Sequence, residues 1–236
     1  FHSFGGEEEE VRYVTSSVPL PTETAVGEGD LKGFLDFVHC GSFFDKNTIQ
    51  ANNGFEVLLL HDAQSHKESW RPVQDRLCSM GGSKASVTAI DLAVTSDVQG
   101  LKKSHRALIN AKVLSDNPVT IVTPTISGNM VVQMIDDAKL VPSKEVALRT
   151  HLKNWVVIGT PTVMPLPKDE LDILTELGID TLAVYGSNNM PGKAVHDKLV
   201  GDLENAKGVV ISDADKAPQF EKPEEFAKEL LKFLNA

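Results

Sequence analysis

The chain of 236 residues is poor in the residues that mark a metal, membrane or nucleic-acid protein. Cysteine occurs twice, at Cys40 and Cys78, without C-x-x-C spacing, so neither a disulfide framework nor a thiolate zinc site is expected. No other set of residues converges at metal-ligand spacing, and the expectation is no metal and no cofactor. Positive charge is also short. Lys plus Arg is 23 against 33 Asp plus Glu, the net charge is −10, and no basic block is available to neutralise phosphates, which disfavours nucleic acid as a partner. The strongest apolar runs, Val57 to Leu60 and Trp155 to Ile158, fall far short of the ~20 residues that a membrane-spanning helix needs. Peripheral attachment to a membrane complex stays open. Gly (17) and Pro (12) are near average usage and no internal repeat is visible, so neither disorder nor a fibrous or repeat architecture is indicated.

What is present divides into two parts. Residues 1–30 combine an acidic run, Glu7 to Glu10, with the Ser/Thr/Pro/Gly-rich stretch TSSVPLPTETAVGEG, and hold too few apolar positions at a steady period to build a core. They read as an arm, either a mobile terminus or a tail lying along a partner protein. The start at Phe1 rather than Met is compatible with removal of a leader during import into a mitochondrion or plastid, or with a trimmed chain.

From Leu31 to Ala236, short apolar runs alternate with amphipathic stretches, the pattern of βαβ units in a single domain. Strands are expected at 33–39, 55–60, 86–91, 118–122, 154–159, 180–185 and 208–212, several nearly continuous in Val, Ile and Leu as in strands buried on both faces. Helices are expected at 66–79, 98–113, 128–138, 143–151, 168–177, 193–204 and 223–234. In the last, Pro223 opens the first turn, Glu224 and Glu225 suit the positive helix end, and Phe226, Leu230, Leu231 and Phe233 form the inward stripe. The fold class is therefore α/β, a mostly parallel twisted sheet with helices on both faces. No block is large enough for a cap domain, although the segment 164–177 allows a small lid as the alternative to a plain helix entry.

In such sheets the chemistry gathers at the carboxyl ends of the strands. The strand at 118–122 runs into TPTISGNM, where Ser127 stands on a strand-to-helix turn and Gly128 follows, its backbone N–H placed for an oxyanion. Against G-x-S-x-G the outer positions are Thr125 and Asn129. Beside this elbow the chain carries LLLH at 58–61, SW at 69–70, AIDL at 89–92, VYG at 184–186 and KPEE at 222–225. With these marks, residues 31–236 resemble the α/β-hydrolase superfamily, and within it the nearly cap-less branch of abhydrolase-domain-containing protein 14.

The resemblance implies a Ser, acid and His triad, with the acid after VYG and the histidine in the loop after the last strand. It places Asn189 at the acid position and Lys216, counted back from KPEE, at the histidine position; Asp62 stands where a glycine follows the first-loop histidine. A neutral amide cannot stabilise an imidazolium as a carboxylate does, and loss of the acid alone costs roughly 10⁴ in kcat in such triads. Lys216 replaces a histidine base only if it gives up its proton near neutral pH, which needs desolvation or a nearby cation, whereas Asp213 and Asp215 flank it. A carboxylate at Asp62 in the oxyanion region opposes developing negative charge. None of the seven histidines follows the last strand; His61 is expected to orient its loop and His196 to lie on a helix surface.

Three readings follow. The first is a catalytically inactive α/β-hydrolase-like protein, an accessory or interaction subunit of a larger complex, with other protein subunits as partners through the arm and an organelle as a compatible setting. The second is a serine hydrolase or acyltransferase on small esters or acyl groups, with Ser127 as nucleophile and Lys216 as a non-standard base. The third is non-catalytic binding of a small apolar ligand in the residual pocket.

Overall fold

The computed structural model describes residues 13–20, 34–41, 54–62, 65–91, 98–140 and 148–236. Among these residues eight strands form one sheet: β1 Tyr13–Pro19, β2 Phe34–Gly41, β3 Phe55–Leu60, β4 Ala85–Ile90, β5 Val119–Pro124, β6 Leu152–Ile158, β7 Asp180–Gly186 and β8 Ala206–Ile211. Their order is β1-β2-β4-β3-β5-β6-β7-β8; β1 with β2 and β2 with β4 are antiparallel, and the remaining pairs are parallel. Helices among the described residues include α1 Arg71–Gly81, α2 Val98–Asn110, α3 Gly128–Leu140, α4 Lys168–Glu176, α5 Met190–Asp202, α6 Pro218–Glu221 and α7 Pro223–Leu234. The expected helix at 143–151 lies largely outside the described residues.

The period-2 geometry of strands explains the two cores. Leu58, Leu60, Ile121, Trp155, Val157 and Ala183 pack on one face with α2, α3, α4 and α5, whereas Val57, Leu59, Val122, Val156, Ile158, Leu182 and Val184 pack on the other with α1 and α7. Neighbouring residues of one strand thus enter opposite layers, which is why β3, β5, β6 and β7 read as continuous apolar runs. On α7, Phe226 and Leu230 are buried, each contributing about 1.5–3 kcal/mol of apolar burial. Trp70 joins these parts: its indole N–H donates to Leu60 O at 3.1 Å, and its ring lies edge-on to Phe220 at 5.2 Å and tilted to Phe226 at 6.3 Å. The end of β3 is thereby fixed relative to α6 and α7.

Two expectations are corrected. The stretch expected as an arm contains β1, paired antiparallel with β2 from Tyr13↔Cys40 to Pro19↔Phe34. Only Val18 of this edge strand is buried, so its sequence lacks the apolar alternation that betrays a half-buried strand. The rest of residues 1–30, apart from Leu20, lies outside the described residues. Second, Cys40 on β2 and Cys78 on α1 form a disulfide, with Cα atoms 6.2 Å apart across a sequence separation of 38. Local cysteine spacing carries no information about a contact made by packing a helix on a strand. Closing a loop of this size stabilises by about 4 kcal/mol in the chain-entropy account.

His105 on α2 and His151 ahead of β6 face each other, Nδ1 to Nδ1 at 2.7 Å, with ring centroids 4.9 Å apart. One nitrogen must carry the proton and the other accept it. Burial, then the neighbouring His151, pushes His105 down to about 3; burial, then Lys102 and Arg106, pushes His151 down to about 4.

Two outcomes are expected. Reduction with dithiothreitol, or Cys78→Ser, lowers the unfolding free energy by about 2–4 kcal/mol in denaturant titrations, and the untreated protein shows no free thiol in non-reducing thiol labelling. Because the unfolded chain binds protons to both imidazoles near pH 6.5 while the native pair resists them, stability is full above about pH 6.5 and falls as pH drops toward about 4. His105→Leu flattens that acid limb in thermal melts taken across the same range.

Candidate active site

Strand β5 ends at Pro124, and the next residue, Thr125, has φ +27°, a left-handed backbone rare for a β-branched residue. A short 3-10 turn, Thr125–Ser127, then leads into α3. The kinked residue at the head of the strand-to-helix turn is therefore Thr125. Thr125 is half-buried, and its hydroxyl donates to Asp62 Oδ2 just past the end of β3. Ser127 sits two residues further on, 2% exposed, with its Oγ donating to Pro124 O at 2.8 Å. This hydroxyl closes the turn instead of presenting itself to solvent. Gly128 gives its N–H to Ile126 O, and a side chain there would collide with buried Thr160. Its lack of a Cβ serves the close approach of α3 to the loop after β6.

The loop leaving β3 is held by its own side chains. His61 Nδ1 lies 2.7 Å from Asp62 O, the loop-orienting contact expected for this histidine; Asp62 N donates to Ser65 Oγ at 3.1 Å, and Ser65 N to Asp62 O at 3.0 Å. The carboxylate of Asp62 is thus directed to the elbow by a loop whose backbone is tied down on both sides. Negative charge accumulating there would meet a carboxylate instead of a preorganised donor.

Asn189 follows β7 and is 9% exposed. It acts as the N-cap of α5, its Oδ1 accepting from Gly192 N at 3.1 Å. Lys216 lies on the exposed surface of the loop after β8, and Glu221 straddles it: the carboxylate accepts from Asp215 N at 2.8 Å and from Ala217 N at 2.9 Å. Gly186 lets this loop approach, since a Cβ there would strike the backbone of Ala214 and Asp215, and Asn188 N donates to Ala214 O at 2.9 Å. The backbones of the loops after β7 and β8 therefore meet. Among the described residues, however, no hydrogen bond joins Lys216 to Asn189, or either of them to Thr125 or Ser127. His196 stands apart, edge-on to Tyr185 and 3.0 Å from Asp197 Oδ1.

Beyond the ends of β5, β6 and β7 three large apolar side chains face water: Ile126 at 48%, Met164 at 44% and, on the first turn of α5, Met190 at 67% exposure. No group of three or more potential metal ligands occurs among the described residues, and no described helix is long and apolar enough to cross a membrane.

The capping role of Asn189 has a measurable consequence. Asn189→Ala is expected to cost about 1 kcal/mol in chemical denaturation, while Asn189→Asp, an acid at a helix N-terminus, keeps the stability.

No protein-family model matches the chain, and no curated protein matches it in sequence. Solved structures do. A predicted CIB-like hydrolase from Thermoplasma acidophilum superposes with a TM-score of 0.65 at 15% identity, covering 95% of this chain and 99% of that one. An esterase from Exiguobacterium antarcticum gives 0.62 at 11% identity over 94% of this chain and 100% of its own. A dienelactone hydrolase from Anabaena variabilis gives 0.61 at 16% identity over 94% and 96%. Strand order, helices on both faces and these likenesses agree that the chain has the α/β-hydrolase fold.

Proposed function

We propose that this α/β-hydrolase-fold protein is not a serine-type acyl-transfer catalyst and acts as an interaction or accessory subunit, with the carboxyl end of its sheet as a binding face. The observation that carries the reading is the closed pair at the elbow. Thr125 donates its hydroxyl proton to Asp62, and in this reading that carboxylate opposes the negative charge that an acyl substrate would develop beside it. Ser127 is occupied and buried, Asn189 is an amide engaged in capping, and the position of the general base carries an exposed lysine. Desolvation, the usual means of making lysine a base, has no support at an exposed side chain. The exposed Ile126, Met164 and Met190 supply apolar area for a partner beside this inert centre. The N-terminal segment remains a second candidate contact in this reading.

A second reading has its own support. The similar structures bear the names of hydrolases, esterases and a thioesterase domain, and a hydroxyl still stands at the elbow. In that reading the protein is a hydrolase or acyltransferase on small esters or acyl groups. Its nucleophile is either Ser127 with Lys216 as base, or Thr125 with Asp62 taking its proton.

Activity-based labelling separates the two. The full chain treated with a fluorophosphonate probe is expected to remain unlabelled, and to leave short-chain p-nitrophenyl esters at the buffer rate. Labelling that disappears in Thr125→Ala or in Ser127→Ala would assign the nucleophile and replace the first reading with the second.

A further inference from the structure

Helix α2 carries Lys102, Lys103 and Arg106 and no acid, against the net charge of −10 of the whole chain. On α4 and α5 the lysines answer acids one turn away: Lys168 with Asp172, Lys193 with Asp197 and Lys198 with Asp202. One turn from Lys102 stands Arg106 instead, so two like charges share the stripe of α2 that also holds His105. The segment meeting this stripe is basic too. Residues 148–153 read LRTHLK, with Arg149 and Lys153 exposed on either side of half-buried His151. The two segments touch through His105 and His151, 46 residues apart in the chain, which is why the sequence shows no basic block. The acids on the neighbouring helix α3 are Asp136 and Asp137, and they act on each other: burial, then Asp137, pushes the Asp136 carboxyl up.

We propose that His151, Lys102 and Arg106 form a binding site for a tetrahedral dianion of the sulfate or phosphate class. The buried imidazole decides which hydrogen points at the ligand. His105 Nε2 is buried without a hydrogen-bond partner, and an orphaned N–H in a core is the rarer and costlier case, so this nitrogen is assigned a bare lone pair. His105 then carries its hydrogen on Nδ1 and donates it to His151 Nδ1 at 2.7 Å. His151 in turn carries its hydrogen on Nε2, on the side of the ring turned away from His105, and is a donor without needing a second proton. Arg106 offers a planar fork and Lys102 a point charge one turn away, the two cation types that bind such oxyanions. Both already act at His151: burial, then Lys102 and Arg106, holds its proton affinity down, and a bound dianion offsets the two cations. The free ion and the phosphoryl group of a small metabolite share this chemistry.

NMR of the full chain tests this, with the His151 imidazole assigned through His151→Gln and circular dichroism confirming that each variant folds. Sodium sulfate at pH 7 is expected to shift the His151 ring resonances saturably, where sodium chloride at matched ionic strength does not, and to move the His151 titration upward from about 4. Lys102→Gln and Arg106→Gln should each weaken sulfate binding about tenfold, one charge-assisted contact apiece. Glycerol phosphate binding tighter than inorganic phosphate assigns the phosphoryl group of a metabolite, and equal binding assigns the free ion. A drift that chloride reproduces, binding that survives in the double variant, or a His151 titration that sulfate leaves in place overturns the proposal.

Discussion

A carboxylate and a hydroxyl bonded across the ends of two parallel strands set the geometry of this site. β3 and β5 are neighbours in register, Leu59 beside Val122, so the loops that leave them must meet above the sheet. At that meeting point the chain places Asp62 and Thr125. The geometry of the strand-to-helix kink presents whichever residue follows Pro124, and the tied loop of His61, Asp62 and Ser65 fixes what receives it. Every other departure at the site is consistent with this closed arrangement: the amide at Asn189 serves its own helix, and the loop around Lys216 is organised by Glu221 through backbone bonds that ignore the lysine side chain.

The scaffold, by contrast, keeps the devices that bring triad loops together. Trp70 holds the end of β3 to α6 and α7, Gly128 lets α3 approach Thr160, and Gly186 lets the loops after β7 and β8 touch. Two apolar layers surround the sheet and depend on none of the reactive positions. Stability and chemistry are therefore separable in this fold, and polar residues at the strand ends can change while the core residues continue to specify the sheet.

What the sequence made legible followed burial. Parallel strands enclosed on both faces appear as apolar runs, and all seven expected strands correspond to β2 through β8. The final helix spans Pro223–Leu234 as its Pro, acidic first turn and apolar stripe predict. β1 escaped because six of its seven residues are not buried, so nothing in its pattern separates it from a loop. The disulfide escaped because its partners meet only through tertiary packing. At the site, motif matching drew attention to the serine before Gly128. The strand runs to Pro124, two residues past its expected end at 122, and the residue straight after it, Thr125, takes the kink. That Asn189 and Lys216 lie in the loops after β7 and β8 was legible from the strand pattern, but the capping bond and the Glu221 clasp required coordinates.

The most direct measurement is intact-mass spectrometry of the full chain incubated with excess p-nitrophenyl acetate and quenched in acid, followed by peptide mapping of residues 119–140. The closed Thr125 and Asp62 pair predicts an unmodified mass and no acetyl group on Thr125 or Ser127. An acetyl group on either hydroxyl, formed at a rate above hydrolysis in buffer and removed by the matching alanine substitution, would contradict it.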